Sequence, residues 1–134
     1  MNNLNKLYIS KNLEYSSNIR KEILDVIPKF SKRILDLGCG NGSTCKWLKE
    51  NNYCETTYGI EKFNINQIEI KQNIDFFCEA NLETDDFFPN VKFDLILVLD
   101  VIEHLSNPWE FIKKIKNKLD KNGKIIFIIP NVLH

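Results

Sequence analysis

A chain of 134 residues with 18 basic and 18 acidic side chains carries no net formal charge, so it lacks the electrostatic pull that nonspecific binding to a polyanion requires. Its 43% hydrophobic and 27% charged residues fit a globular domain with enough length to bury one core, and a single domain over 1–134 is expected. The polar start MNNLNKLYISKNLEY has no signal-peptide core and the apolar runs are too short to cross a bilayer, which predicts a cytoplasmic protein with no membrane partner.

Ile19, Ile23, Val26 and Ile27 recur at helical spacing up to Pro28, whose ring disfavours helical backbone before it, so an amphipathic helix comes first. RILDL then reads as a short buried strand. The glycine loop GCGNG follows it, and a helix is expected over about 43–52 with Thr44, Trp47 and Leu48 on one face. TTYGIE is a second strand ending in Glu61. The isoleucines of FNINQIEIKQN fit both periods, and only the alternation of elements makes this stretch a helix.

IDFFCEANLE supplies a third strand, and the acidic ETDDFFPN is a loop punctuated by Pro89. FDLILVL, apolar without alternation from Leu95 to Leu99, has the character of a central parallel strand covered on both faces. In SNPWEFIKKIKNKLDKNG, Asn107 is a cap, Pro108 fits the first turn, and Phe111, Ile115 and Leu119 repeat every four residues; Asn122 and Gly123 are expected to end the helix. KIIFIIP is the fifth strand. This alternation predicts an α/β fold, a Rossmann-like wound parallel sheet. Trp47 and Trp109 are read as packing residues, and the lysines from Lys113 to Lys124 as the wet side of the last helix and its turn. Cys39, Cys45, Cys54 and Cys78 show no C-x-x-C spacing and only His104 and His134 stand ready to help them, so no metal site is expected and the thiols read as reduced packing residues.

In a wound sheet, ligands sit beyond the carboxyl ends of the strands. Gly38 and Gly40 let the main chain approach a ligand there, and the helix starting near Ser43 aims its N–H groups at negative charge. Glu61, nineteen residues after Gly42, is placed to accept hydrogen bonds from both hydroxyls of a ribose, so a nucleoside-containing cofactor is indicated. NAD and S-adenosylmethionine both carry that ribose. The dinucleotide fingerprint needs a glycine where this chain has Ser43, which weakens the NAD reading.

ILDLGCGNG, YGIE and FDLILVLDVIEHLSNPWEFIKKIKNKLDKNGKIIFIIPNV resemble the successive motifs of class I S-adenosylmethionine-dependent methyltransferases, from about Glu14 onward. DVIEHL with its following NP, and IPNVLH, are similar to bacterial methyltransferases found with polysaccharide and sugar biosynthesis and to ubiquinone-type O-methyltransferases. The resemblance implies strand order 3-2-1-4-5 and S-adenosyl-L-methionine as cofactor. It implies that Asp36, Gly38 and Gly40, with Cys39 between them, line the methionine end and that Glu61 holds the ribose. Asn81 stands where the family commonly has an aspartate near the adenine amino group, Leu82 presents its main-chain N–H to the ring, and Leu99 with Asp100 lies beside the methionine amino group. It also places His134 close to the acceptor side.

Methyl transfer from a sulfonium is an in-line displacement, so alignment is the protein's main task, and a hydroxyl acceptor adds the need for a base or a metal. The candidates are Asp100, Glu103 and His104, at i, i+3 and i+4, which one helical turn would bring to one side. A carboxylate-imidazole magnesium site is chemically reasonable there, but the reading adopted is metal-free, with His104 as base or substrate contact. The bland alternatives are that Glu103 interacts with a helix N-terminus and that His104 is a buried residue satisfied by a carbonyl.

The family's usual strands six and seven have no counterpart after IPNVLH, so the fifth strand is expected at an exposed edge, covered by a further C-terminal segment or by a second subunit. The expected activity is O-methylation of a small-molecule or sugar acceptor, with no nucleic acid favoured. A cofactor-binding fragment or degenerate domain without turnover is the alternative, and an NAD-binding domain is a more distant one.

Overall fold

The computed structural model describes residues 21–62 and 66–130, so Ile19 and His134 lie outside the described residues. In chain order it contains α1 (Lys21–Leu24), β1 (Ser31–Leu37), α2 (Ser43–Glu50), β2 (Cys54–Glu61), α3 (Gln67–Asn73), β3 (Phe76–Glu79), β4 (Phe93–Leu99), a 3-10 turn (Ile102–His104), α4 (Pro108–Lys116) and β5 (Leu119–Ile128). The five strands pair in parallel in the order β3-β2-β1-β4-β5, as expected.

The central strands alternate between two buried faces, which is why their sequences show no polar alternation. Leu35, Leu37, Ile96 and Val98 pack with Phe111 and Ile115 of α4 and with Phe87, while Ile34, Leu95 and Leu97 pack with Leu48 of α2 and Ile27. Of the ambiguous isoleucine stretch, 63–65 lie outside the described residues and Gln67–Asn73 are helical as α3, because Ile70 and the following Ile74 bury against Cys39 and Cys45 while Ile68 stays exposed. At the amino ends of the strands, two carboxylates complete the backbone bonding. Asp94 accepts the N–H groups of Lys32 and Arg33 at 2.5 and 2.6 Å, just before β1 and β4 begin to pair at Ile34 and Leu95. Asp75 accepts the N–H of Thr57 at 2.9 Å and the Lys49 ammonium at 2.5 Å.

Several expectations need correction. The last helix stops at Lys116, and Leu119 joins β5 opposite Phe93, because the Lys118 carbonyl takes the Phe93 N–H at 2.8 Å. Asn122 and Gly123 form an irregularity inside β5 instead of a helix end. Asn107 does cap α4, accepting the Glu110 N–H at 3.2 Å. Val26 and Trp109 are exposed instead of packed, whereas Trp47 is half-buried. Two of the lysines assigned to the wet side turn inward: Lys114 donates to the Leu82 and Asp85 carbonyls and Lys118 to the Phe87 carbonyl. Among the described residues, no helix is long and apolar enough to cross a membrane.

Candidate functional site

The carboxyl ends of β1, β2 and β4, with the segment after β3, converge on an open pocket of about 330 Å³. Gly38 lines it at the end of β1 with φ +73°; an added Cβ would both strain the backbone and come within 3.0 Å of Val101 Cγ2. The turn is fastened to β2, since the N–H groups of Gly38 and Cys39 both donate to the Ile60 carbonyl at 2.9 Å. It then enters α2 through Gly42 at φ +85°, where Asn41 Oδ1 accepts the Ser43 N–H at 3.0 Å. Glu61, at the end of β2, lines the pocket, and its Oε2 accepts the Gly40 N–H at 2.9 Å. That bond uses one carboxylate oxygen and fixes the glycine loop against the end of the neighbouring strand.

Asp36 lies under this loop on β1, only 2% exposed, and its Oδ1 has no hydrogen-bond partner. Burial first, and the neighbouring Glu61 carboxylate second, push it from 3.8 up to about 7. Asp36 lies behind the residues that line the pocket and is not itself one of them. Cys39 is differently disposed. Its side chain sits among Cys45, Ile70 and Ile74, where burial, with Asp36 and Glu61 nearby, drives the thiol upward. Its N–H is held by the Ile60 carbonyl and its own carbonyl accepts the Gly42 N–H at 3.0 Å, so the residue shapes the turn and does not line the pocket.

Asn81 and Leu82 line the pocket from the loop after β3. The Asn81 N–H donates to Asp85 Oδ2 at 2.8 Å and its Oδ1 accepts the Glu83 N–H at 2.9 Å, so the side-chain oxygen is engaged within its own turn. Leu99 and Asp100 line the pocket at the end of β4. Asp100 adopts φ +57° and donates its N–H to the Ile128 carbonyl at 2.8 Å. This corrects the expected helical turn: Asp100 precedes the 3-10 turn, which spans Ile102–His104 alone, and does not share a helical face with Glu103 and His104.

His104 lines the pocket with its side chain 76% exposed, which removes the buried-histidine reading, and its Nε2 lies 3.5 Å from Glu103 Oε1. Glu103 itself is not in the pocket wall. The helix N-terminus contact considered for Glu103 is made by Glu83, which sequence reasoning left inside an acidic loop. Its carboxylate accepts the Ser106 N–H at 3.0 and 3.1 Å and the Asn107 N–H at 3.1 Å, and these bonds hold it below the ordinary carboxylate range. No local pattern marks such a contact, because the acceptor reaches main-chain groups more than twenty residues away.

Comparison with known proteins bears on this geometry. The chain is 29% identical over 109 residues to N-methyltransferase 4 of Papaver somniferum, covering 75% of this chain and 30% of that protein. It is 28% identical over 107 residues to the ubiquinone biosynthesis O-methyltransferase of Idiomarina loihiensis, covering 76% of this chain and 44% of that protein. It thus spans less than half the length of these relatives, and the names of its matches range over nitrogen, oxygen and tRNA substrates. An S-adenosylmethionine dependent methyltransferase from Mesorhizobium loti shares the fold with a TM-score of 0.69 at 20% identity, over 80% of this chain and 51% of that one. A family model described as a methyltransferase domain matches residues 12–134, and the chain belongs to that family.

Proposed function

We propose that the chain is the cofactor-binding part of a cytoplasmic S-adenosylmethionine-dependent methyltransferase and that its acceptor is an oxygen of a small molecule or sugar. The observation that carries the reading is the convergence in one pocket of Gly38, Glu61, Leu99 and Asp100 from the ends of adjacent strands, with the buried Asp36 carboxyl, its Oδ1 unpartnered, two residues before Gly38 on β1. Asp36 and Asp100 would receive the methionine ammonium, and Glu61, oriented by the Gly40 N–H, would accept from the ribose hydroxyls. With Asn81 Oδ1 engaged by Glu83, the group Asn81 offers the base is its Nδ2 donor. Leu82 would stand beside the ring through its main chain.

S-adenosylmethionine, when bound, supplies an electrophilic methyl group on a sulfonium sulfur. The residues of this chain align and discharge: the glycine loop and the ends of β1, β2 and β4 fix orientation, which is the larger part of what such a displacement needs. His104 is the base of the proposal. With Nε2 turned toward Glu103, Nδ1 would be the atom that takes the proton of an acceptor hydroxyl. No carboxylate cluster is invoked for a metal. The balanced charge, 18 against 18, favours an acceptor that is not a polyanion.

Calorimetry with S-adenosylhomocysteine and with NAD tests the reading. Wild type is expected to bind the former and not the latter, and Glu61→Ala to lose about 10- to 100-fold in affinity, as for a hydrogen bond to a charged group. Binding of NAD alone would overturn it. Release of S-adenosylhomocysteine with phenolic or sugar acceptors, abolished by His104→Ala, separates turnover from binding without turnover.

A further inference from the structure

Two segments distant in sequence form adjoining walls of the pocket. One is the loop after β3, with Asn81, Leu82 and Glu83; the other is the segment after β4, with Val101, His104 and Leu105. The main chain of the second segment turns in a 3-10 arc, where the His104 N–H donates to the Val101 carbonyl at 3.0 Å and the Leu105 N–H to the Ile102 carbonyl at 3.2 Å. Its next two N–H groups, those of Ser106 and Asn107, both donate to Glu83. The first segment is in turn anchored from below, because Lys114 on α4 donates to the Leu82 carbonyl at 3.0 Å and to that of Asp85.

We propose that Glu83 is a positioning residue: its carboxylate ties the loop after β3 to the segment that carries His104, and so sets the separation of the two pocket walls. The inference deepens the proposed cofactor reading and rests on it for its functional consequence. Geometry supports a role beyond that of a helix cap. Asn107 already caps α4 through its side chain, so Glu83 duplicates that function only in part. What Glu83 adds is a crossing between segments, with its own residue in the pocket wall and its bonds immediately after Leu105. Glu83 also lines a smaller cleft of about 250 Å³ with Asn107, Glu110, Phe111 and Lys114, so its carboxylate stands between two hollows, while Leu82 and Leu105 of the same two segments pack on the core below.

The test compares Glu83→Ala and Glu83→Gln with Asn107→Ala, which removes the other cap of the same helix end and leaves the Asn107 N–H in place. Three quantities are measured on the full chain: thermal midpoint, S-adenosylhomocysteine affinity, and amide hydrogen exchange at His104, Leu105 and Ser106. Glu83→Ala is expected to weaken binding by about tenfold or more, on the scale of displaced positioning groups, and to speed exchange at all three amides. Glu83→Gln, which keeps one acceptor oxygen, should recover part of both. Asn107→Ala should lower the midpoint comparably with affinity unchanged within about twofold. Equal affinity losses in Glu83→Ala and Asn107→Ala at equal midpoints would reduce Glu83 to a cap and overturn the proposal. If wild type fails to bind S-adenosylhomocysteine, the cofactor reading falls, and the clasp is judged by exchange alone: unchanged exchange at His104 and Leu105 in Glu83→Ala overturns it.

Discussion

Burial of Asp36 beneath the glycine loop moves its carboxyl from 3.8 to about 7, with Glu61 adding to the effect. The unfolded chain releases this proton near 3.8 and the folded chain holds it to about 7, so between those values the folded state binds more protons and stability falls as pH rises. At 1.36 kcal/mol per pH unit the loss is on the order of 4 kcal/mol, complete above about 7 and absent below 3.8. Asp36→Asn should therefore be more stable than wild type at pH 8 and should flatten the fall between pH 4 and 7. Denaturant titrations at pH 5 and 8 check this, and an unchanged pH slope in the variant would contradict it. A cationic group seated above Asp36 favours the ionised form, so S-adenosylhomocysteine should bind more tightly at pH 8 than at pH 6 with release of a proton, an effect lost in Asp36→Asn.

The elements that build the loop depend on one close approach. At Gly42, with φ +85°, an added Cβ would lie 2.7 Å from Ile74 Cγ1 and 2.9 Å from Asn73 Cβ, so α3 could not keep its place against α2. Gly42→Ala is expected to cost about 1–3 kcal/mol in chemical denaturation. Asp75 binds the same region together. Burial alone would raise its carboxyl, but the Lys49 and Thr57 bonds outweigh that and hold it below 3.8. Its contribution is thus present above 3.8 and lost as pH falls through the lower folded value, so Asp75→Ala should cost about 1 kcal/mol at pH 7 and progressively less as the pH falls below 3.8. Element type was legible in the sequence because the apolar runs of β1, β4 and α4 are strong, whereas the strand order followed from the family resemblance, since no apolar period encodes which strands are neighbours. The α4 to β5 boundary was not, since Leu119 continues the period of Ile115 while its fate is decided by Phe93, a partner distant in sequence. The same limit applies to the site. Gly38, Glu61 and Asp100 stand at strand ends that a pattern can mark, whereas Glu83 works through main-chain groups that no pattern displays.

Across the whole molecule, the order β3-β2-β1-β4-β5 leaves one side of β5 without a neighbour among the described residues, with Phe127 38% and Ile129 57% exposed. An apolar strand in that position templates further pairing. The 134-residue chain is therefore expected to associate as its concentration rises, and Phe127→Lys to suppress this in light scattering. The two ends of the sheet are also finished differently. At one, the Asp94 and Asp75 carboxylates stand in for ladder bonds at Lys32, Arg33 and Thr57; at the other, the chain reverses through left-handed residues at Gly38, Gly40 and Asp100. The second end is pinned as well, through main-chain bonds to the Ile60 and Ile128 carbonyls and to the Glu61 carboxylate. A ligand entering there meets turns that already hold their shape, so little of its binding free energy is spent on ordering them.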